Sequence, residues 1–78
     1  MNRKIKLIWD FRGDDAQRTA EHHKIHLSEF ADKENLELKI SGIEKINEIH
    51  WTAYMLAEEK NVFAIRDLLL PHRAEIVD

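Results

Sequence analysis

Residues 4–30 read KIKLIWDFRGDDAQRTAEHHKIHLSEF, and within this stretch the hydrophobic period changes once. From Lys4 to Phe11 the period is two. Ile5, Leu7, Trp9 and Phe11 point one way while Lys4, Lys6, Ile8 and Asp10 point the other, the mark of a strand covered on one face. From Asp15 to about Lys33 it is three to four, because Ala16, Ala20, His23, Leu27 and Phe30 fall on one helical stripe with Ile25 on the opposite side. Between the two, Gly13 is free to take turn geometry, and Asp14, three residues before Gln17, is expected to open the helix as the N-cap of a capping box. Arg12-Gly13-Asp14 also spells an integrin-recognition tripeptide, but in a chain without secretory features it reads as a turn and a cap. A strand followed by a long amphipathic helix defines the first unit of an α+β fold.

Outward from this unit, Asn35 is a C-terminal stop, and LELKIS (36–41) resumes period two with Leu36, Leu38 and Ile40 inward and Glu37, Lys39 and Ser41 outward. This segment is the expected second strand. GIEKINE (42–48), with Gly42 and Asn47, reads as the connection of a wide hairpin, although Ile43 and Ile46 suggest that it packs down or prolongs the strand. The β-branched and aromatic stretch IHWTAYMLAE (49–58) is the third strand. Asn61 caps a short second helix over VFAIRDLLL, whose buried side is expected to hold Val62, Ile65, Leu68 and Leu69. Pro71 ends it, and RAEIVD supplies a last strand. The expected order is βαββαβ: a single ferredoxin-like α+β sandwich over residues 1–78, with a four-stranded antiparallel sheet and two helices on one face.

Composition narrows the chemistry. Seventy-eight residues without cysteine exclude disulfides, thiolate nucleophiles, iron–sulfur clusters and Cys-based zinc sites, and leave a small core whose stability is marginal. No apolar run approaches a membrane span, and MNRKIKLIW lacks the features of a signal peptide, so a cytoplasmic protein without membrane association is expected. A formal charge of −3 spread over charges of both signs argues against polyanion or nucleic-acid binding. Asp14 and Asp15 would repel a phosphate at the start of the first helix, and no serine sits in a nucleophile elbow.

The sheet face away from the helices should be polar if it meets water. Strand two satisfies this, but Ile8 and either the Thr52, Tyr54, Leu56 set or the Trp51, Ala53, Met55 set must lie there, depending on the register of residues 49–58. Such an apolar, aromatic face predicts a homodimer packed through the helix-free sheet face.

With this layout, HHKIHLSEF (22–30) on the first helix and ISG (40–42) at the end of strand two, the chain resembles the dimeric α+β-barrel superfamily, which includes YCII-related proteins and small antibiotic-biosynthesis-type monooxygenases. The likeness covers the whole chain at the level of layout. It implies a histidine and an aspartate at a small cleft, positions that His23 or His26 and Asp10 would fill.

The histidines divide by helical angle. His22, His26 and Glu29 share a flank at H-x3-H-x2-E spacing, which suits zinc or another divalent metal, although a solvated face with local His–Glu pairing explains the same pattern. His23 lies in the apolar stripe, where an imidazole oriented by Asp10 would be a general base and where a packed core histidine is the ordinary alternative. Trp9, His23, Trp51 and Tyr54 are the expected walls of a small-molecule pocket, with core or interface packing as the competing account. His72 and Arg73 complement the C-terminus of the second helix.

The leading expectation is a homodimeric small-ligand-binding or regulatory module that needs no cofactor. A cofactor-independent enzyme with His23 as base and a divalent-metal binder are the alternatives.

Overall fold

The computed structural model describes residues 3–77, so that Met1, Asn2 and Asp78, which the single-domain expectation includes, lie outside the described residues. The elements are β1 (Lys4–Arg12), α1 (Ala16–Lys33), β2 (Ser41–Asn47), β3 (His50–Glu58), a single 3-10 turn (Glu59–Asn61), α2 (Val62–Leu69) and β4 (Arg73–Ile76). The sheet order is β2-β3-β1-β4, and every neighbouring pair is antiparallel. This is the expected βαββαβ α+β sandwich. Among the described residues no helix is long and apolar enough to cross a membrane.

The β1–β3 pairing is continuous from Lys4↔Glu58 to Arg12↔His50, which resolves the two alternatives for strand three. Trp51, Ala53, Met55 and Ala57 share the helix side with Ile5, Leu7, Trp9 and Phe11, and the core forms there with Ala20, Leu27 and Ala31 of α1 and Ile65 of α2. Four alanines in that cluster let α1 approach the sheet closely. Thr52, Tyr54 and Leu56 lie with Ile8 on the helix-free face.

Strand two is displaced from its expected position. Residues 36–40 form the return from α1, and the paired strand is the segment read as a hairpin connection. The hairpin is tight: Asn47 Oδ1 accepts the Ile49 N–H at 2.9 Å, and pairing counts back from Asn47↔His50 to Ser41↔Met55. Gly42 does not turn the chain. It sits opposite Tyr54, whose hydroxyl lies 2.6 Å from where a Cβ would stand, so the glycine admits the ring. Ser41 therefore faces the helices, where its hydroxyl meets that of Ser28 at 2.9 Å.

Three smaller expectations also change. The N-cap of α1 is Asp15 without a side-chain capping bond, so the Asp14–Gln17 capping box does not form; Gly13, at φ +118, makes the turn as expected. Asn61 is the N-cap residue of α2, again without a side-chain bond. Leu68 is exposed because an eight-residue helix centred on Ile65 turns Val62 and Leu69 toward the core and Leu68 toward its solvent flank. Asn35, at φ +52, ends α1 as expected, and α2 ends on Leu70 in left-handed geometry before Pro71.

Candidate functional site

Antiparallel pairing places residues two apart along neighbouring strands on the same face. Asp10 stands opposite Thr52, so His50 lies diagonally from it on β3; Ile8 stands opposite Arg73, so Arg73 lies diagonally from Asp10 on β4. The three side chains meet on the helix-free face. His50 Nε2 lies 2.8 Å from Asp10 Oδ1, and Arg73 donates from Nε to Oδ2 at 3.0 Å and from its terminal nitrogen to Oδ1 at 3.2 Å. The side chains of Asp10 and His50 are only 10% and 13% exposed.

The Arg73 guanidinium, helped by His50, holds the Asp10 carboxyl down to about 2 against the opposing effect of burial. Asp10 is thus an ionised acceptor near neutral pH, so His50 must donate to it from Nε2. A neutral His50 then carries its free lone pair on Nδ1, which has no hydrogen-bond partner among the described residues. This tautomer follows from the carboxylate's charge.

Around this cluster the face is covered by its own chain. Ile8 is 3% exposed and Thr52 is 2% exposed, because Lys6, Tyr54, Asp10 and Arg73 surround Ile8 while Asp10, Glu44, His50 and Tyr54 surround Thr52. Lys6 pairs with Glu44 and lies 4.5 Å from the Tyr54 ring centroid, its stem lying along the sheet. Tyr54 and Leu56 remain half-buried.

Asp10 and His23 are not brought together. The carboxylate projects from the helix-free face, while His23 packs on the helix side with ring centroids 4.8 Å from Trp9 and 5.5 Å from Phe11. Its Nε2 is buried and has no hydrogen-bond partner among the described residues. Trp51 shares this side of the sheet, whereas Tyr54 is on the other, so the four expected pocket walls divide between two faces. His72 joins the helix-side group at 6.4 Å from Phe11, and its Nδ1 accepts the Asp10 N–H at 2.8 Å.

Burial pushes the His23 imidazole below its ordinary value, and the nearby His26 and His72 push it further in the same direction. The neutral form is therefore the folded form, and the stability contributed by His23 is present above about pH 6.5 and is lost as the pH falls through the lowered value. NMR titration should find His23 protonating at a more acidic pH than the ordinary imidazole value near 6.5. An ordinary His23 midpoint would mean that the ring is solvated.

His26 Nδ1 lies 3.5 Å from Glu29, with both side chains about seven-tenths exposed. Among the described residues no group of three or more His, Asp or Glu side chains is placed to hold a metal ion. An acidic hollow lined by Asp14, Asp15, Gln17, Arg18 and Glu21 opens at the start of α1 and includes none of the residues above.

Fold and site define a small α+β sandwich with an Asp–His–Arg cluster on its open sheet face. No family model, curated protein or solved structure matches the chain.

Proposed function

We propose that this chain is a small-ligand-binding module whose seat is the Asp10–His50–Arg73 cluster on the helix-free face. The supporting observation is the commitment of His50 Nε2 to an ionised carboxylate, which leaves the Nδ1 lone pair without a partner among the described residues. Such a nitrogen accepts a proton-bearing group, and the Arg73 guanidinium, held beside it by two bonds to Asp10, supplies positive charge for an anionic or carbonyl oxygen. The complementary ligand is a small weak acid such as a hydroxy acid or a phenol. Near-neutral local charge favours a ligand bound by directed hydrogen bonds over a polyanion.

The same geometry favours one second reading, general-base catalysis. A histidine oriented by a carboxylate abstracts protons near neutral pH, so His50 takes the role that sequence spacing gave to His23. Proton abstraction from carbon would then be the reaction class.

One experiment addresses both. Nitrogen-15 spectra of the free protein should show His50 protonated on Nε2, and small hydroxy acids and phenols should shift His50 resonances in the native chain but bind at least roughly tenfold more weakly to His50→Phe. A proton on Nδ1, or no response across such compounds, would remove the binding reading. Exchange of a ligand C–H for deuterium, lost in His50→Phe, would establish the catalytic one.

A further inference from the structure

Among the described residues the sheet has two open edges, β2 and β4, and they differ. At β2 the pairing shifts register between Lys45 and Asn47, an irregularity of the kind that blunts an edge. At β4 the register with β1 is continuous from Ile8↔Arg73 to Ile5↔Ile76, all four residues are exposed, and Pro71 precedes the strand instead of interrupting it. The Val77 N–H bonds the Lys4 carbonyl at 3.0 Å. Alternation in an antiparallel ladder then turns the N–H and C=O of Ala74 and Ile76 away from β1, toward open space.

We infer that β4 pairs with β4 of a second copy of this chain about a two-fold axis at Ala74, joining two four-stranded sheets into one of eight strands. The sequence Arg73-Ala74-Glu75 is self-complementary in this arrangement. With Ala74 opposite Ala74 of the second copy, the two alanines exchange both backbone bonds. Arg73 of each chain then faces Glu75 of the other on the helix-free side. The alternative centred on Glu75 would oppose two carboxylates and is disfavoured. Arg73 is prepared for the role, because its Nε and one terminal nitrogen are held by Asp10 while the other terminal nitrogen points toward Glu75, 3.8 Å away within its own chain. On the helix side the pairing draws Ile76, 59% exposed, into the interface just past the start of the second copy's strand, since the His72 N–H is already given to the Ile8 carbonyl at 2.9 Å and adds no bond to the new ladder. The second copy's Glu75 would thereby stand at the rim of the His50 cluster, although the inference holds whether or not that cluster binds a ligand.

Four residues make a short interface, so the dimer should be concentration-dependent, with dissociation in the range of about micromolar. Sedimentation equilibrium of the full chain should give twice the 9.3 kDa monomer mass at high concentration and a shift to monomer on dilution or added salt. Ala74→Pro removes an outward N–H and leaves the β1 ladder intact, so it should weaken association at least roughly tenfold without loss of fold by circular dichroism. Glu75→Lys, which sets like charges opposite Arg73, should do the same, and Glu75→Gln should fall between Glu75→Lys and the native chain. A monomeric mass for the native chain at every concentration would overturn the proposal. So would a dimer that survives both Ala74→Pro and Glu75→Lys, since it would have to use another surface.

Discussion

Leu27→Ala should lower the unfolding free energy by about 3 kcal/mol, a large fraction of the roughly 5 kcal/mol available to a domain of this size. Leu27 is 1% exposed and brings α1 into the core with Leu7, Trp9 and Met55. Much of that cluster is alanine, at positions 20, 31, 53 and 57, and an alanine has no rotamer with which to fill a void. The cavity should therefore persist, which places the cost well above simple transfer of the lost methylenes. Thermal melts should show the midpoint falling by roughly 15 °C. On the opposite side of the same helix Ile25 is 56% exposed, and Ile25→Ala should change stability by no more than ~0.5 kcal/mol. Equal effects at the two positions would contradict the face by which α1 meets the sheet.

That face could be read from spacing alone, because β1 repeats every two residues and α1 every three to four, and each apolar stripe has only one way to be buried. Strand two was harder for a physical reason. Its paired segment carries Gly42, Glu44, Lys45 and Asn47, which resemble a connection, while the apolar alternation of Leu36, Leu38 and Ile40 lies in the return from α1. What fixes the strand is the Asn47 turn and the Tyr54 ring over Gly42, contacts between residues that only the hairpin register brings together. The site was half legible in the same sense. Asp10 stood out as a carboxylate at the end of a strand, but the apolar stripe of the helix and the family resemblance suggested His23 as its partner, and the two project from opposite sides of the sheet. His50 and Arg73 are forty and sixty-three residues away. The parity of β1 places Asp10 with Ile8 and away from Trp9, so it already assigns the carboxylate to the helix-free face. The missing information was the register of the two neighbouring strands, which settles which basic residues share that face.

Asp10→Asn tests whether the cluster also holds β4 in place, since Arg73 ties this short edge strand to β1 and His50 ties β3 to the same carboxylate. The carboxyl is held at about 2 in the folded chain, below the ordinary carboxylate value near 3.9. A depressed folded value means that the stabilisation is fully present above about pH 4 and is lost as the pH falls toward 2. Because Arg73 is partly solvated, the contribution is closer to 1–2 kcal/mol than to the full value of the shift. Urea denaturation at neutral pH should find Asp10→Asn destabilised by about that amount, since the amide keeps one acceptor for His50 but no charge for Arg73. Asp10→Ala, which leaves both partners without an acceptor, should cost about 1 kcal/mol more. The diagnostic feature is the pH dependence: the gap between native chain and Asp10→Asn should close at pH about 2, where the native carboxyl is itself half protonated and the advantage of its charge has largely gone. A gap that stays constant down to that pH would mean that the substitution acts through packing, and that the ion pair with Arg73 does not secure the strand.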